Sequence, residues 1–150
     1  MLLEKDVRNL AIEYLKSYIG KFYKWGGDDP SGFDCSGLVI EVLKAVGVLQ
    51  RNGDWRAADL FNMFGEVDPI DIMPGDLVFW HGARIASIIH VEMIINDKIS
   101  IGASGGGSNT LTEADAIRQN AFIKPRPIQS RSGVAGYRNP FKKPFYPIYV

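Results

Sequence analysis

The hydrophobic pattern of this chain changes from a helical period to a strand-like one about halfway along its length. Apolar side chains first recur every three or four positions, which predicts helices over residues 1–20, 35–47 and 55–64. Short apolar runs bounded by turn residues then predict strands over 77–80, 88–95, 99–103 and 121–123, with a short helix at 112–120. Because the helices come first and do not alternate with the strands, the pattern predicts an α+β domain with segregated layers.

The size and composition of the chain predict one domain over residues 1–150. It has 46% hydrophobic and 23% charged residues, which is ordinary for a single globular core. Its apolar runs cover only a few residues each, so no membrane span is predicted. The first residues carry acids where a signal peptide would be basic and then apolar, so we expect synthesis in a cytoplasm without a signal peptide.

Charge is distributed unevenly along the sequence. All 17 acidic residues lie within residues 1–115, whereas residues 116–150 contain seven basic residues and no acid. This region is also rich in proline and aromatic residues, so segment 124–150 is predicted to be a basic strap that runs along the domain. Its charge either complements the acidic body or binds a partner. A nucleic-acid partner is disfavoured because the basic residues are confined to this region.

Cys35 is the single cysteine of the chain. It excludes an intramolecular disulfide, and with only two histidines the sequence offers a poor ligand set for zinc, so no metal or cofactor is expected. A free cysteine is commonly a small buried hydrophobic residue. Cys35, however, follows the glycine-rich loop 26–32 and begins a predicted helix. The free N–H groups and dipole of that helix favour a thiolate, which is the nucleophilic form.

A thiol nucleophile needs a proton carrier, and His90 is the better of two candidates. It opens an apolar strand, where its ring would be fixed, whereas His81 lies at a strand end or in a loop. Cys35 and His90 are therefore predicted to form a nucleophile–base pair.

Four motifs carry a resemblance to a known family. They are Phe-Tyr-Lys-Trp-Gly-Gly at 22–27, Gly-Phe-Asp-Cys-Ser-Gly-Leu-Val at 32–39, Pro-Gly-Asp-Leu-Val-Phe-Trp at 74–80 and His-Val-Glu-Met-Ile-Ile at 90–95. In this order they resemble the NlpC/P60 cysteine peptidases, which cut peptidoglycan stem peptides. The resemblance implies a circularly permuted papain-like fold in which N-terminal helices pack on an antiparallel sheet. Residues 102–108 and 116–128 resemble the phage-encoded branch, which would carry such an enzyme to the wall in a virion or through a pore.

The resemblance also implies roles for individual residues. Cys35 is the nucleophile and His90 the base, and the substrate is the stem-peptide amide between D-glutamate and the diamino acid, or a neighbouring amide. Tyr23 matches the family tyrosine near the nucleophile. Asp34 and Ser36 match positions that hold the amino group of the substrate in some members.

One family position departs from the pattern, because the third polar residue is replaced by Gly102. A three-residue loop at 96–98 puts apolar side chains on one face of the hairpin and mainly polar ones on the other. In this register Glu92 lies on the face of His90 and directly opposite Gly102. The Glu92 carboxylate is then predicted to accept a hydrogen bond from the His90 ring and to replace the missing group. Ser104, which lies opposite His90 in this register, is the other candidate.

Other functions remain open on the sequence. A thiol amidase or acyltransferase would use the same Cys35 and His90. A non-catalytic wall-binding or phage-tail module is compatible with Gly102 at the third position, and phage tail proteins are candidate partners of segment 124–150. The glycine cluster at 102–108 has no phosphate-loop pattern and is predicted to be a flexible rim loop.

Overall fold

The computed structural model describes residues 3–29 and 32–141. Its helices are α1 (Glu4–Lys16), α2 (Cys35–Ala45), α3 (Ala57–Met63) and α4 (Glu113–Gln119). Its strands are β1 (Asp28–Asp29), β2 (Gly32–Phe33), β3 (Gly65–Val67), β4 (Leu77–His81), β5 (Ile88–Ile94), β6 (Ile99–Ser104), β7 (Phe122–Pro127) and β8 (Val134–Asn139).

The first two helices lie where the apolar periodicity predicts them, although each ends before the glycine expected to stop it. α1 buries Val7, Ala11 and Leu15 along one face. α2 begins at Cys35 because the Asp34 side chain accepts a hydrogen bond from the Gly37 N–H at 2.6 Å and caps the helix. The cap places the sulfur of Cys35 on the first helical turn.

The large sheet has six strands in the order β3-β8-β4-β5-β6-β7, and every neighbouring pair is antiparallel. One core cluster joins the apolar faces of α1, α2 and α3 to alternate residues of four strands, Leu77, Phe79, Val91, Met93, Ile101, Ala103 and Ile123. A smaller cluster, Val78, Trp80, Ile94, Ile128 and Tyr137, lies on the other side of the sheet. The predicted α+β architecture with segregated layers is confirmed.

The hairpin of β5 and β6 has the predicted register. Met93 pairs with Ile101, Ile94 pairs with Ser100, and the Ile95 N–H donates to the Ile99 carbonyl, so residues 96–98 form the three-residue loop. Extended along the strands, this register sets Glu92 against Gly102.

Two regions differ from the sequence-based prediction. Loop 26–32, predicted to be a loop, supplies most of a separate two-stranded sheet made of β1 and β2. Segment 124–150 was predicted to be a strap along the domain, but its described part, 124–141, supplies the end of β7 and all of β8. The prolines of β7 are tolerated because β7 is an edge strand, where a missing N–H breaks no ladder. Residues 142–150 of the predicted strap lie outside the described residues.

Membrane insertion by a helix finds no support in this part of the chain. None of the helices within residues 3–29 and 32–141 has the length and apolar character needed to cross a bilayer.

Candidate active site

Cys35 lies at the point where α2 meets the beginning of β5. Its Sγ is 3.9 Å from the carbonyl oxygen of Ile89, the residue before His90. The side chain is half-buried, and it borders a cleft of about 470 Å³. The structure therefore brings Cys35 beside the backbone that carries His90 and leaves the sulfur facing a space that a substrate can enter.

Burial is the largest influence on the pKa of the Cys35 thiol. Burial and the adjacent Asp34 carboxylate raise the pKa of Cys35 to about 11, and the backbone N–H groups of Val91 and Ser36 oppose this only in part. From the sequence, the start of α2 was expected to favour a thiolate. Burial shifts the pKa of Cys35 in the opposite direction, because desolvation of the sulfur outweighs the helix terminus.

His90 and Glu92 form a hydrogen-bonded pair on β5. The Nε2 atom of His90 lies 2.7 Å from Oε2 of Glu92, and both side chains are at most 5% exposed. Since Nε2 is engaged by Glu92, Nδ1 is the other ring nitrogen that can take part in proton transfer. Burial lowers the pKa of His90, aided by nearby Arg131 and Arg126, while Glu92 acts in the opposite direction.

Gly102 makes room for the Glu92 side chain. A methyl group at this glycine would lie 2.3 Å from Cγ of Glu92 and 2.7 Å from its Cδ. A third polar residue on β6 and a glutamate at 92 would therefore compete for one space. The glycine and the glutamate belong together, as the hairpin register predicts.

Tyr23 also depends on a glycine for its position. Its ring fills the space where a side chain at Gly106 would lie, with Cδ1 only 2.3 Å from that Cβ position. The side chain is 6% exposed and borders the cleft next to Cys35. Burial, together with Cys35 and Asp34, raises its pKa, so its hydroxyl is kept protonated as a donor. The glycine cluster thus shapes the rim of the cleft.

Asp34, which caps α2, and Ser36, on its first turn, flank the nucleophile. The Ser36 hydroxyl donates to Oδ1 of Asp34 at 3.3 Å, the same oxygen that caps the helix. Burial raises the pKa of Asp34, and the bonds from Gly37 and Ser36 oppose it. Both residues border the cleft and also a neighbouring pocket of about 250 Å³.

Ser104 is buried on β6, but it makes no contact of the kind that would orient the His90 ring. Among the described residues its Oγ has no hydrogen-bond partner. Of the two candidates for the third position, Glu92 is therefore the one whose side chain is bonded to His90.

Two further partners of Glu92 were not predicted from the sequence. The Ser100 hydroxyl donates to its Oε1 at 2.8 Å, and the Arg126 Nη2 donates to its Oε2 at 3.0 Å. Ser100 was on the predicted face of the hairpin, and that was the available signal. Arg126 gave none, because the strand containing it was predicted to end at residue 123.

Residues 20–127 match the model of the NlpC/P60 family. The chain belongs to the NlpC/P60 family. A protein of Listeria seeligeri named "Probable endopeptidase p60" is 34% identical over 98 residues, which cover 64% of this chain and 17% of that protein. The "Gamma-DL-glutamyl hydrolase" of Bacillus subtilis (strain 168) is 37% identical over 85 residues, covering 53% and 19% respectively. The chain thus spans less than a fifth of either relative.

Solved structures show the same fold. An NlpC/P60 family protein from Bacillus cereus ATCC 10987 aligns with a TM-score of 0.74 at 23% identity, covering 90% of this chain and 40% of that one. RipD from Mycobacterium tuberculosis, described as a non-catalytic NlpC/p60 domain protein, aligns with a TM-score of 0.64 at 16% identity. The alignment covers 87% of this chain and 94% of that one. At these identities the likeness establishes the papain-like α+β fold.

Proposed function

We propose that this protein is a cysteine endopeptidase that hydrolyses an amide bond in peptidoglycan stem peptides. The observation that supports it most directly is the combination of Cys35 at the start of α2 with a His90 ring held by Glu92 on the adjoining strand. A nucleophile, a base and a group that orients the base are the parts that thiol-dependent acyl transfer requires.

The reaction begins with attack of the Cys35 sulfur on the amide carbonyl carbon, as the thiol proton passes to Nδ1 of His90. The resulting oxyanion accepts hydrogen bonds from backbone N–H groups at the start of α2 and from the Tyr23 hydroxyl. His90 then gives its proton to the departing amine, and the C–N bond breaks to leave a thioester. Water, deprotonated by His90, attacks the thioester and releases the acid and the Cys35 thiol.

The resting state in this mechanism is a neutral pair. The pKa of Cys35 is raised to about 11 and the pKa of His90 is lowered, so at neutral pH the proton stays on sulfur until substrate arrives. Glu92 then stabilises the imidazolium that forms during attack. Alkylation by iodoacetamide tests this: Cys35 should react more slowly at pH 7 than a free thiol, and faster labelling than a free thiol would contradict it.

For the substrate we propose the bond between D-glutamate and the diamino acid. A relative is named a gamma-DL-glutamyl hydrolase, and Asp34 and Ser36 line both the cleft beside Cys35 and the smaller pocket. In this proposal Asp34 and Ser36 hold the amino group of the substrate, because a carboxylate and a hydroxyl both accept hydrogen bonds from an ammonium group.

Mass spectrometry of muropeptides tests the proposal. Purified stem peptides are incubated with the wild type, Cys35→Ser, His90→Gln and the matched control His81→Gln. We expect new termini at the D-glutamyl bond with the wild type and with His81→Gln, and none with the other two variants. Transfer of the acyl group to an added amine, without hydrolysis, would indicate the acyltransferase on the same scaffold.

A non-catalytic wall-binding role is the second candidate, because RipD shows that this fold occurs without catalysis. It predicts salt-sensitive binding to peptidoglycan with no turnover, and equal binding by Cys35→Ser. The arrangement of Glu92 around His90 favours the hydrolase, since a binding module has no need of an oriented imidazole.

We further propose that the protein acts at the bacterial cell wall. Association with phage tail proteins through segment 124–150 is a separate proposal. Of the described basic residues, Arg126 is paired with the Glu92 carboxylate, whereas Lys124 and Arg138 donate to backbone carbonyls and keep their charge. Co-purification with a tail protein should therefore be weakened by high salt.

A further inference from the structure

Arg126 reaches across from β7 to the carboxylate that orients His90. Its Nη2 lies 3.0 Å from Oε2 of Glu92, the same oxygen that His90 contacts at 2.7 Å. The Ser100 hydroxyl occupies the other oxygen at 2.8 Å. Glu92 is 2% exposed and Arg126 28%, so the cation closes the outer side of an otherwise buried cluster.

The sheet register explains why these three donors meet on one carboxylate. Ser100 pairs with Arg126 across β6 and β7, and Gly102, the next residue on the same face of β6, leaves open the space that Glu92 fills. A side chain at 102 would displace Glu92 from both donors. The cluster is therefore a property of three adjacent strands together.

We propose that Arg126, with Ser100, is a positioning residue that fixes the ionised Glu92 carboxylate against Nε2 of His90 and keeps the ring neutral before substrate binds. This rests on the proposed function, because it assigns to His90 the task of a base. Without a cation, a buried carboxylate beside an imidazole would draw a proton onto one of the two groups. With the positive charge of Arg126 beside it, Glu92 stays ionised while His90 stays neutral.

The electrostatics of the cluster support the proposal. Burial raises the pKa of Glu92, but hydrogen bonds from His90 and Ser100 and the charge of Arg126 outweigh it and hold that pKa below its ordinary value. Burial lowers the pKa of His90, and Arg131 and Arg126 lower it further against the effect of Glu92. Arg126 therefore acts on both members of the pair in the direction that the proposal requires.

Other groups face the same cluster from each element packed against it. Arg131 adds a second positive charge from beyond β7, and α2 contributes the Cys35 thiol, which feels the charge of Glu92. β4 contributes neutral surfaces, with the Trp80 ring centroid 5.2 Å from that of His90. Lys124, also on β7, makes its hydrogen bond to the Asn120 carbonyl instead. Arg126 is thus the cation bonded to the carboxylate among the described residues.

Titration of His90 by ¹H–¹⁵N NMR tests the proposal without requiring turnover. The chain has two histidines. In protein without a histidine tag, the imidazole signals that remain in His81→Gln therefore belong to His90. In Arg126→Gln we expect the His90 midpoint to rise, because removal of a neighbouring positive charge stabilises the imidazolium. Arg126→Lys should restore a midpoint near the wild-type value, and the matched control Lys124→Gln should leave it unchanged.

The same variants have a kinetic signature. Arg126→Gln should lower kcat/KM at pH 7 at least about tenfold, the factor that one charge-assisted hydrogen bond is worth, and the acid limb of its pH profile should move upward. A purely structural role would lower the melting temperature and leave the His90 midpoint where it was.

Equal His90 midpoints in Arg126→Gln and Lys124→Gln would overturn the inference. If Arg126→Gln does not fold, Ser100→Ala supplies the second measurement, since it removes one donor from Glu92 and should also change the His90 midpoint. Absence of muropeptide cleavage by the wild type would instead overturn the proposed function, and the NMR result would still report whether Arg126 controls the ring.

Discussion

Two buried carboxylates in this domain, Asp76 and Glu92, each lie against an arginine. Their pKa values are nevertheless shifted in opposite directions. Arg8 Nη1 is 2.8 Å from Oδ1 of Asp76, and Arg126 Nη2 is 3.0 Å from Oε2 of Glu92. Burial raises the pKa of Asp76 despite Arg8, whereas the donors around Glu92 lower its pKa despite burial.

The hydrogen bonds of the Arg8–Asp76 pair connect distant parts of the chain, and two of them are made with backbone groups. Arg8 on α1 donates to the Pro74 carbonyl and to the Asn139 side chain at the end of β8, and the Met73 N–H donates to Asp76. These bonds fasten the first helix to the turn before β4 and to β8. Among the described residues, the other hydrogen bond to the Asp76 carboxylate comes from a backbone N–H, so the pair holds structure.

The Glu92 pair uses its remaining acceptor sites differently. It accepts hydrogen bonds from a hydroxyl, a guanidinium and an imidazole, and the imidazole is a group that can gain or lose a proton. Burial and the arginine are common to both pairs, so the difference lies in the remaining donors. Among the described residues, Asp76 receives one further hydrogen bond, from the Met73 N–H, whereas Glu92 receives two, from a hydroxyl and an imidazole.

The largest expected difference between the two pairs is in activity, when each carboxylate is replaced by its neutral amide. Glu92→Gln is expected to lower kcat/KM by about 10²–10⁴-fold, because the imidazolium formed during attack loses its counter-charge and the ring its fixed tautomer. Asp76→Asn, the matched control, should retain near wild-type kcat/KM at a temperature where it is folded. Stem-peptide hydrolysis at pH 7 measures both, and equal activity of the wild type and Glu92→Gln would remove Glu92 from the mechanism.

Breaking the Asp76 pair should have its main effect on stability. Arg8→Met leaves a buried carboxylate without its cation, and we expect it to lower the free energy of unfolding by about 3–5 kcal/mol. The double variant Arg8→Met/Asp76→Leu should recover much of this loss, because both charges are then absent. Urea denaturation followed by circular dichroism measures the cycle. Additive losses in the double variant would show that the two side chains do not act as a pair.

The predictable part of the site was local in sequence. Alternation along β5 and β6 and the loop at 96–98 determined which residues share a face, and this was sufficient to place Glu92 against Gly102 and beside His90. Likewise, the turn-rich approach to Cys35 and the apolar stripe behind it were sufficient to place the start of α2. Each of these inferences needed only neighbouring residues.

The parts that were missed depend on residues far apart in the chain. β8 pairs with β3 and β4 from a position more than fifty residues away, and its short glycine-containing sequence carries little strand signal. Arg126 acts on Glu92 only because β7 continues through two prolines at the sheet edge. The raised pKa of Cys35 arises from burial among several elements, which the pattern around one helix terminus does not report.

The pH dependence of activity should distinguish the pairs again. A base must be neutral to accept a proton, and the pKa of His90 is lowered from 6.5, so the acid limb of kcat/KM should lie below pH 6.5. Because Glu92 raises the pKa of His90, Glu92→Gln should move the limb of its residual activity to still lower pH. Asp76→Asn should leave the limb in place. A limb at or above pH 6.5 in the wild type would contradict the neutral resting state.

The finest comparison is between two serines on the same face of β6. Ser100→Ala removes a donor from Glu92 and should cost about 0.5–1.5 kcal/mol of unfolding free energy, together with a small loss of kcat. Ser104→Ala should be neutral or slightly stabilising with unchanged kcat, because its buried hydroxyl has no partner among the described residues. Both substitutions remove one buried oxygen from the same strand, so the bond to Glu92 is the main difference between them. Loss of activity in Ser104→Ala with a silent Ser100→Ala would transfer the orienting role from Glu92 to Ser104.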